Sequence, residues 1–267
     1  MNRAVIVEER QSGRLRWSMV VAMLTRPYPL RIRVVVPMVA LMLLVPCYFV
    51  IAELTVHRTL HVPELALDHL VPLQPAWSLV YGSHLVFLLL PVLVMRQEEQ
   101  IRRTFLAYLM VWIVGYVCFL VYPTIASRPA RVIGGGFFAW SLRVIYSADR
   151  PRNCFPSLHV AHAFVSALTC YRIHRGVGIG AGLWAALIAV STLFTKQHYV
   201  ADVIAGLFLA WAAYVVFLRG CPREAILELD RRVAPVLLLG LVGIHGLIIT
   251  GFWVAYWAEH AICSTLR

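Results

Sequence analysis

Two short stretches of this chain carry polar groups able to do chemistry together. One is Asn153-Cys154-Phe155-Pro156-Ser157-Leu158-His159, and the other is Thr195-Lys196-Gln197-His198-Tyr199-Val200-Ala201-Asp202. Each stands at the mouth of an apolar window. Pro156-Ser157 suits a helix start, whose first amides and dipole make an anion site, and Ser157 adds a hydroxyl. His159 is placed to pass a proton to a leaving oxygen. His198 and Asp202 are four apart, which on a helix puts them on one face. The carboxylate then fixes the imidazole tautomer and leaves the other ring nitrogen as a nucleophile. Lys196 and Arg128 are the nearest cations for phosphoryl oxygens, whose charge has to be stabilised as phosphorus is attacked.

The elements that position these groups are membrane helices. The 267 residues are 61% hydrophobic and 14% charged, against about a quarter charged in soluble domains. Whole windows are apolar on every face. Seven spans are expected, at roughly 34–54, 76–95, 105–123, 157–173, 178–195, 199–218 and 235–258, each close to the ~20 residues that cross a bilayer. Pro37, Pro46 and Pro91 fall inside spans, where they kink a helix without ending it. Residues 1–33 hold seven arginines and no long apolar run, so a basic segment on the cytoplasmic leaflet is expected there. With that end inside, sixteen of the 24 basic residues lie on the cytoplasmic side, as the positive-inside rule requires. Six of the other eight fall in 124–156 and 196–198, where an anion would bind. The net charge of +11 therefore points to lipid surface and anionic substrate. Nucleic acid is excluded, because the arginines sit at window ends and form no polar face.

The expected domain organisation is a single transmembrane catalytic unit over 34–258, with a short extracytoplasmic tail at 259–267. Loop 124–156 is too long for a plain connection. It reads as a lid with a short interfacial helix over 137–146, a turn at Gly134-Gly135-Gly136, and Arg150, Arg152 and Asn153 near its end. Cys47, Cys118 and Cys170 read as core thiols, and Cys154 and Cys263 as a candidate disulfide pair on one side of the membrane. No Cys/His spacing or carboxylate cluster suggests a metal. His57, His61, His69, His174 and His260 read as interfacial. His84 and His245, inside spans, need helix–helix partners. His162, three past His159, is placed to support it.

The two stretches resemble the type 2 phosphatidic acid phosphatase superfamily. Arg128-Pro129 looks like the end of its first motif, Pro156-Ser157-Leu158-His159 matches the second with Leu for Gly, and His198-x-x-x-Asp202 matches the third. The resemblance covers roughly residues 105–218. It implies an all-α polytopic fold with a six-helix core, here with one extra C-terminal span and the N-terminal basic segment. It implies His198 as the phosphorylated nucleophile, Asp202 as its orienting group, His159 as general acid, and Ser157 and Arg128 as phosphate ligands, without metal or cofactor. The lysine that opens the first motif falls at Val121, and the arginine of the third at Thr192. Lys196, Arg150 and Arg152 are the candidate replacements, with Asn153 beside them. The wording from Asp149 to His159 looks closest to the inositol phosphorylceramide synthase branch and also occurs in bacterial phosphatase-like relatives.

The sequence thus leads to the expectation of a membrane enzyme acting on a lipid phosphate or diphosphate at the extracytoplasmic face, in the bacterial inner membrane. Water as acceptor gives a phosphatase and an alcohol gives a transferase. A lipid transporter is the reading from another class. Oligomeric state is not encoded in these features.

Overall fold

A computed structural model describes residues 39–95, 97–129, 131–221 and 228–265, with the side chains of the last helix described from 232 to 261. The basic segment 1–33 and Pro37 lie outside the described residues. These are all-helical, with no β-strand and two isolated bridges. The helices are α1 (Val45–Leu54), α2 (Ser78–Phe87), α3 (Leu89–Val94), α4 (Glu98–Val121), α5 (Phe137–Ala148), α6 (Leu158–Ile173), α7 (Arg175–Phe194), α8 (Val200–Ala213, running on through a π-turn to Leu218) and α9 (Glu228–Thr265).

Among the described residues, five stretches are long and apolar enough to cross a membrane: Pro75–Val94, Glu98–Val121, Arg175–Phe194, Val200–Leu218 and Arg232–Ala261. The first is interrupted at Leu88, between α2 and α3. Pro91 is three residues further on and lacks the N–H that would reach the Phe87 carbonyl. Pro46 likewise stands just inside the start of α1, after a turn at Leu43-Leu44 that separates Val39–Met42 from it. Both prolines therefore break helices that the sequence reading only bent. α4 begins seven residues earlier than expected. Its first turns are built on Glu99, which binds Arg102 at 2.9 Å and Arg103 at 2.6 Å; such pairs hold a helix together beyond its apolar window.

The centre of the molecule is the least apolar of the expected spans. α6 has 16 residues, about 24 Å of helix, and carries His159, His162, Ser166 and Thr169. It tolerates them because helices surround it. On one side Ala163, Ala167 and Cys170 pack with Phe87, Leu90, Val177, Ala181, Ala185 and Leu241 of α2, α3, α7 and α9. On the other, Leu158, Ala161 and Val165 pack with Ala107, Val111, Phe119, Leu209 and Ala210 of α4 and α8. The polar side chains bond across helices: Tyr108 to Ser166 at 2.5 Å and Thr104 to Thr169 at 3.5 Å.

The outer surfaces meet lipid. α9 exposes Leu239, Val242, Leu247, Trp253, Val254 and Trp257. Cys47, expected in the core, is on the exposed side of α1, and Cys118 is half-buried. Cys154 is a free buried thiol, so the disulfide reading is corrected; Cys263 lies outside the residues whose side chains are described. The 124–156 segment contains α5, which starts after Gly134 (φ 113°) and Gly136 (φ 93°), a backbone reversal that side chains resist. α5 docks on the end of α9 through Trp140, Phe137, Phe252 and Tyr256, and Trp140 Nε1 donates to Glu259 at 2.7 Å. The bridge His61–Thr124 fastens the start of this segment to the chain after α1, and Ile125–Arg152 joins its two ends to each other.

Candidate active site

Ser157 is the N-cap of α6. Its Oγ accepts from Val160 N at 3.4 Å, so Pro156 stands before the cap and not at the first helical position. Thr124 Oγ1 accepts from Cys154 N at 2.9 Å and Phe155 N at 3.1 Å, which fixes the approach to the cap. His159, the second residue of α6, then faces the start of α8.

The other mouth is built differently from the sequence reading. α7 ends in a Schellman turn: Lys196 N donates to Leu193 O at 3.0 Å and Gln197 N to Thr192 O at 2.9 Å, with Lys196 at φ 53° in the place usually taken by glycine. α8 begins only at Val200, so His198 precedes the helix and does not share a helical face with Asp202. They meet because Asp202 reaches back to cap its own helix. Its Oδ2 accepts from Tyr199 N at 2.9 Å and lies 3.3 Å from His198 Nδ1. A backbone bond from Ser157 N to Asp202 O, 3.0 Å, ties the two mouths. Gly206 lets α8 approach that closely, since a Cβ there would lie 2.6 Å from Ser157 O.

The rings consequently face each other. His159 Nδ1 is 3.3 Å from His198 Nε2. Behind His159, its Nε2 is 2.9 Å from the Tyr81 hydroxyl, which donates to Asp149 Oδ2 at 2.7 Å. His198 is 8% exposed and Asp202 fully buried. Arg128 bonds Asp149 O at 2.6 Å and Gln197 Oε1, with its guanidinium 4.6 Å from the Tyr146 ring centre. Burial pushes the Tyr146 phenol up to about 12, against the opposing effect of Arg128. Arg128 Nε, Gln197 Nε2 and Asp202 Oδ1 are three of the buried polar atoms that lack a hydrogen-bond partner among the described residues. Two of the three are donors, and buried donors are rarely left unpaired.

The remaining expected ligands are elsewhere. The Lys196 ammonium is held by the carbonyls of Asp68 (3.3 Å) and Val71 (2.5 Å), a consequence of its turn position. Arg150 pairs with Glu53, and Arg152 bonds Ala52 O at 3.1 Å. Asn153, at φ 58°, donates to Tyr48 O at 2.8 Å, joining the end of the 124–156 segment to α1. Arg150, Arg152, Glu53, Ser147 and Tyr48 line a cavity of about 250 Å³; Tyr48 Oη is 3.4 Å from Asp149 Oδ1. Of the two positions without their motif cations, Val121 is exposed at the end of α4 and Thr192 is buried, accepting the Gln197 and His198 amides.

Sequence reasoning missed Tyr81, Asp149, Gln197 and the ring contact of His84 with His159, 4.8 Å between centres. Asp149 and Gln197 flank the motifs, and that adjacency was the available signal. His245 does make a helix–helix bond, to Leu79 O at 3.1 Å. His162 packs among the rings of His84, Tyr108 and Trp112. The Cys154 thiol, held well above its ordinary range by burial, also lies within 4.8 Å of ligand atoms of His198 and Asp202. That set has the chemistry of a soft-metal site.

A family model described as PAP2 superfamily matches residues 52–216, more than half of the chain, with His159, His198 and Asp202 inside the match. The chain belongs to the PAP2 superfamily. A PA-phosphatase related-family protein of Dictyostelium discoideum is similar, 23% identical over 121 residues, which is 41% of this chain and 22% of that protein. The similarity thus spans about a fifth of the relative's length. No solved structure matches the chain significantly. With five described helices long and apolar enough to cross a bilayer, it is an integral membrane member of that superfamily.

Proposed function

We propose that this PAP2 protein cleaves a lipid-linked phosphate or diphosphate ester through a phosphohistidine, on the extracytoplasmic side of the membrane. The observation that carries this reading is the facing pair of imidazoles, with Asp202 on the far nitrogen of His198. Asp202 holds a proton on Nδ1 and leaves the Nε2 lone pair toward His159. Attack by Nε2 forms the N–P bond as the ester P–O bond breaks, and His159 gives its Nδ1 proton to the departing oxygen. In the second step His159 takes a proton from the acceptor, whose oxygen displaces His198. Arg128 Nε and Gln197 Nε2 are the donors for the phosphoryl oxygens, with the Ser157 hydroxyl as a further candidate ligand. At 3.3 Å the gap between the rings holds a hydrogen and no phosphoryl group. In-line transfer needs roughly 6 Å between the two nitrogens, from reacting atoms about 3–3.5 Å apart plus one hydrogen bond, so substrate entry parts them.

A transferase reading is favoured by one feature, the cavity one tyrosine away from Asp149, where Glu53, Ser147, Arg150 and Arg152 offer polar partners to a hydroxylated acceptor. The test uses radiolabelled lipid phosphate in detergent or vesicles, with and without added alcohols, and follows free phosphate, transferred headgroup and acid-labile enzyme-bound label. The expected result is labelled wild-type protein and unlabelled, inactive His198→Ala. Full turnover by His198→Ala sinks the assignment, and lipid movement without release of phosphate or headgroup gives the protein to the transporters.

A further inference from the structure

The hydrogen bonds do not stop at the His198–Asp202 pair. Five side chains form one chain: Asp149 to Tyr81 at 2.7 Å, Tyr81 to His159 at 2.9 Å, His159 to His198 at 3.3 Å and His198 to Asp202 at 3.3 Å. It has four bridges, and each holds one hydrogen. A neutral tyrosine and two neutral imidazoles supply three. With both carboxylates ionised, the fourth bridge is filled only if the chain carries one added proton. That proton completes every bridge at once when it sits on His159: Nδ1–H then points to the lone pair of His198 Nε2, and Nε2–H to the tyrosine oxygen, whose own hydrogen goes to Asp149.

We infer that Tyr81 and Asp149 are positioning residues that hold the His159 imidazolium as a general acid, doing for it through a phenol what Asp202 does directly for His198. This rests on the phosphohistidine reading above. The arrangement assigns one ring nitrogen of each histidine to the substrate and turns the other toward a carboxylate, directly for His198 and through Tyr81 for His159. When the Nδ1 proton leaves with the ester oxygen, His159 becomes neutral and keeps Nε2–H on Tyr81, so Nδ1 is ready to accept the proton of the incoming acceptor. The remaining groups around His159 do not replace this pair. His84 from α2 offers only a ring contact, His162 lies one turn along α6, and the Arg128 guanidinium binds the Asp149 carbonyl and Gln197. Tyr48, 3.4 Å from the other Asp149 oxygen and 3.0 Å from Arg152 O, steadies the carboxylate. Asp149 lies within the 124–156 segment, at the C-cap of α5, so the acid is assembled only while that segment is seated.

The test compares wild type, His198→Ala, Tyr81→Phe and Asp149→Asn on two esters: an alkyl lipid phosphate, whose leaving oxygen needs a proton, and p-nitrophenyl phosphate, whose leaving group does not. Loss of a general acid costs roughly 10²-fold or more in kcat. Tyr81→Phe and Asp149→Asn should show that loss on the alkyl ester with KM nearly unchanged, and less than about a three-fold loss on the aryl ester, which also serves as the check that the variants fold. Asp149→Glu should restore part of the alkyl activity. Equal losses on both esters, or no loss on either, overturn the inference. His198→Ala reports separately on the nucleophile: if it retains turnover the phosphohistidine reading fails, whatever the other two variants do.

Discussion

Gly206→Ala tests the claim that one close helix contact sets the geometry of the active site. A Cβ at 206 would lie 2.6 Å from Ser157 O and 3.1 Å from Val160 Cβ. The first contact is to backbone, which cannot rotate away. Restoring an ordinary contact of 3.4 Å requires α8 and the start of α6 to part by about 0.8 Å. The bond from Ser157 N to Asp202 O, now 3.0 Å, would then be stretched beyond useful length. The histidines ride on the same two chain ends and separate with it. Overpacking of this kind destabilises by roughly 1–3 kcal/mol. A displacement near 1 Å at the reacting groups costs on the order of 10²-fold in rate. Gly182, which meets nothing within 4 Å, provides the matched control. The assay is kcat/KM on a lipid phosphate together with thermal unfolding in detergent. Gly206→Ala should fall about 10²-fold in kcat/KM while Gly182→Ala stays at wild type. Equal activity in the two variants refutes the argument that this approach positions the site.

Three further outcomes follow from the same geometry. Asp202→Ala removes both the carboxylate behind His198 and the acceptor for Tyr199 N; kcat should fall about 10⁴-fold and the unfolding free energy by about 1 kcal/mol, read by turnover and by denaturation in detergent. Gln197→Ala deletes an unpartnered buried donor beside Arg128, and should weaken inhibition by a phosphate-like anion such as vanadate by about ten-fold, the worth of one charge-assisted bond; unchanged inhibition removes Gln197 from the anion site. Cadmium should inhibit by capturing Cys154, His198 and Asp202 together, and Cys154→Ala should abolish that sensitivity while keeping turnover; equal inhibition of both proteins places the metal elsewhere.

The motifs disclosed which residues meet but not how. His159, His198 and Asp202 were named from residue type and spacing, yet the helical-face argument for the last two fails because α8 starts after His198. The contact comes from a cap, and a cap depends on where a helix begins, which an apolar window does not mark to the residue. The same limit explains Lys196. Its charge suggested a phosphate ligand, but the turn ending α7 needs a left-handed residue at that position, and this sets the direction of the side chain before its charge matters. Spans were legible where lipid faces the helix on most sides, as for α4, α7 and α9. α6 was found through its motif, since a helix enclosed by others can carry His162, Ser166 and Thr169 and loses the apolar signal. Tyr81 was invisible for the opposite reason: one phenol in an apolar window looks like ordinary span, and only the arrival of His159 from a helix 78 positions away makes it polar. The chemistry of this PAP2 protein is therefore most readable where the chain itself brings groups close, and least readable where a second helix supplies the partner.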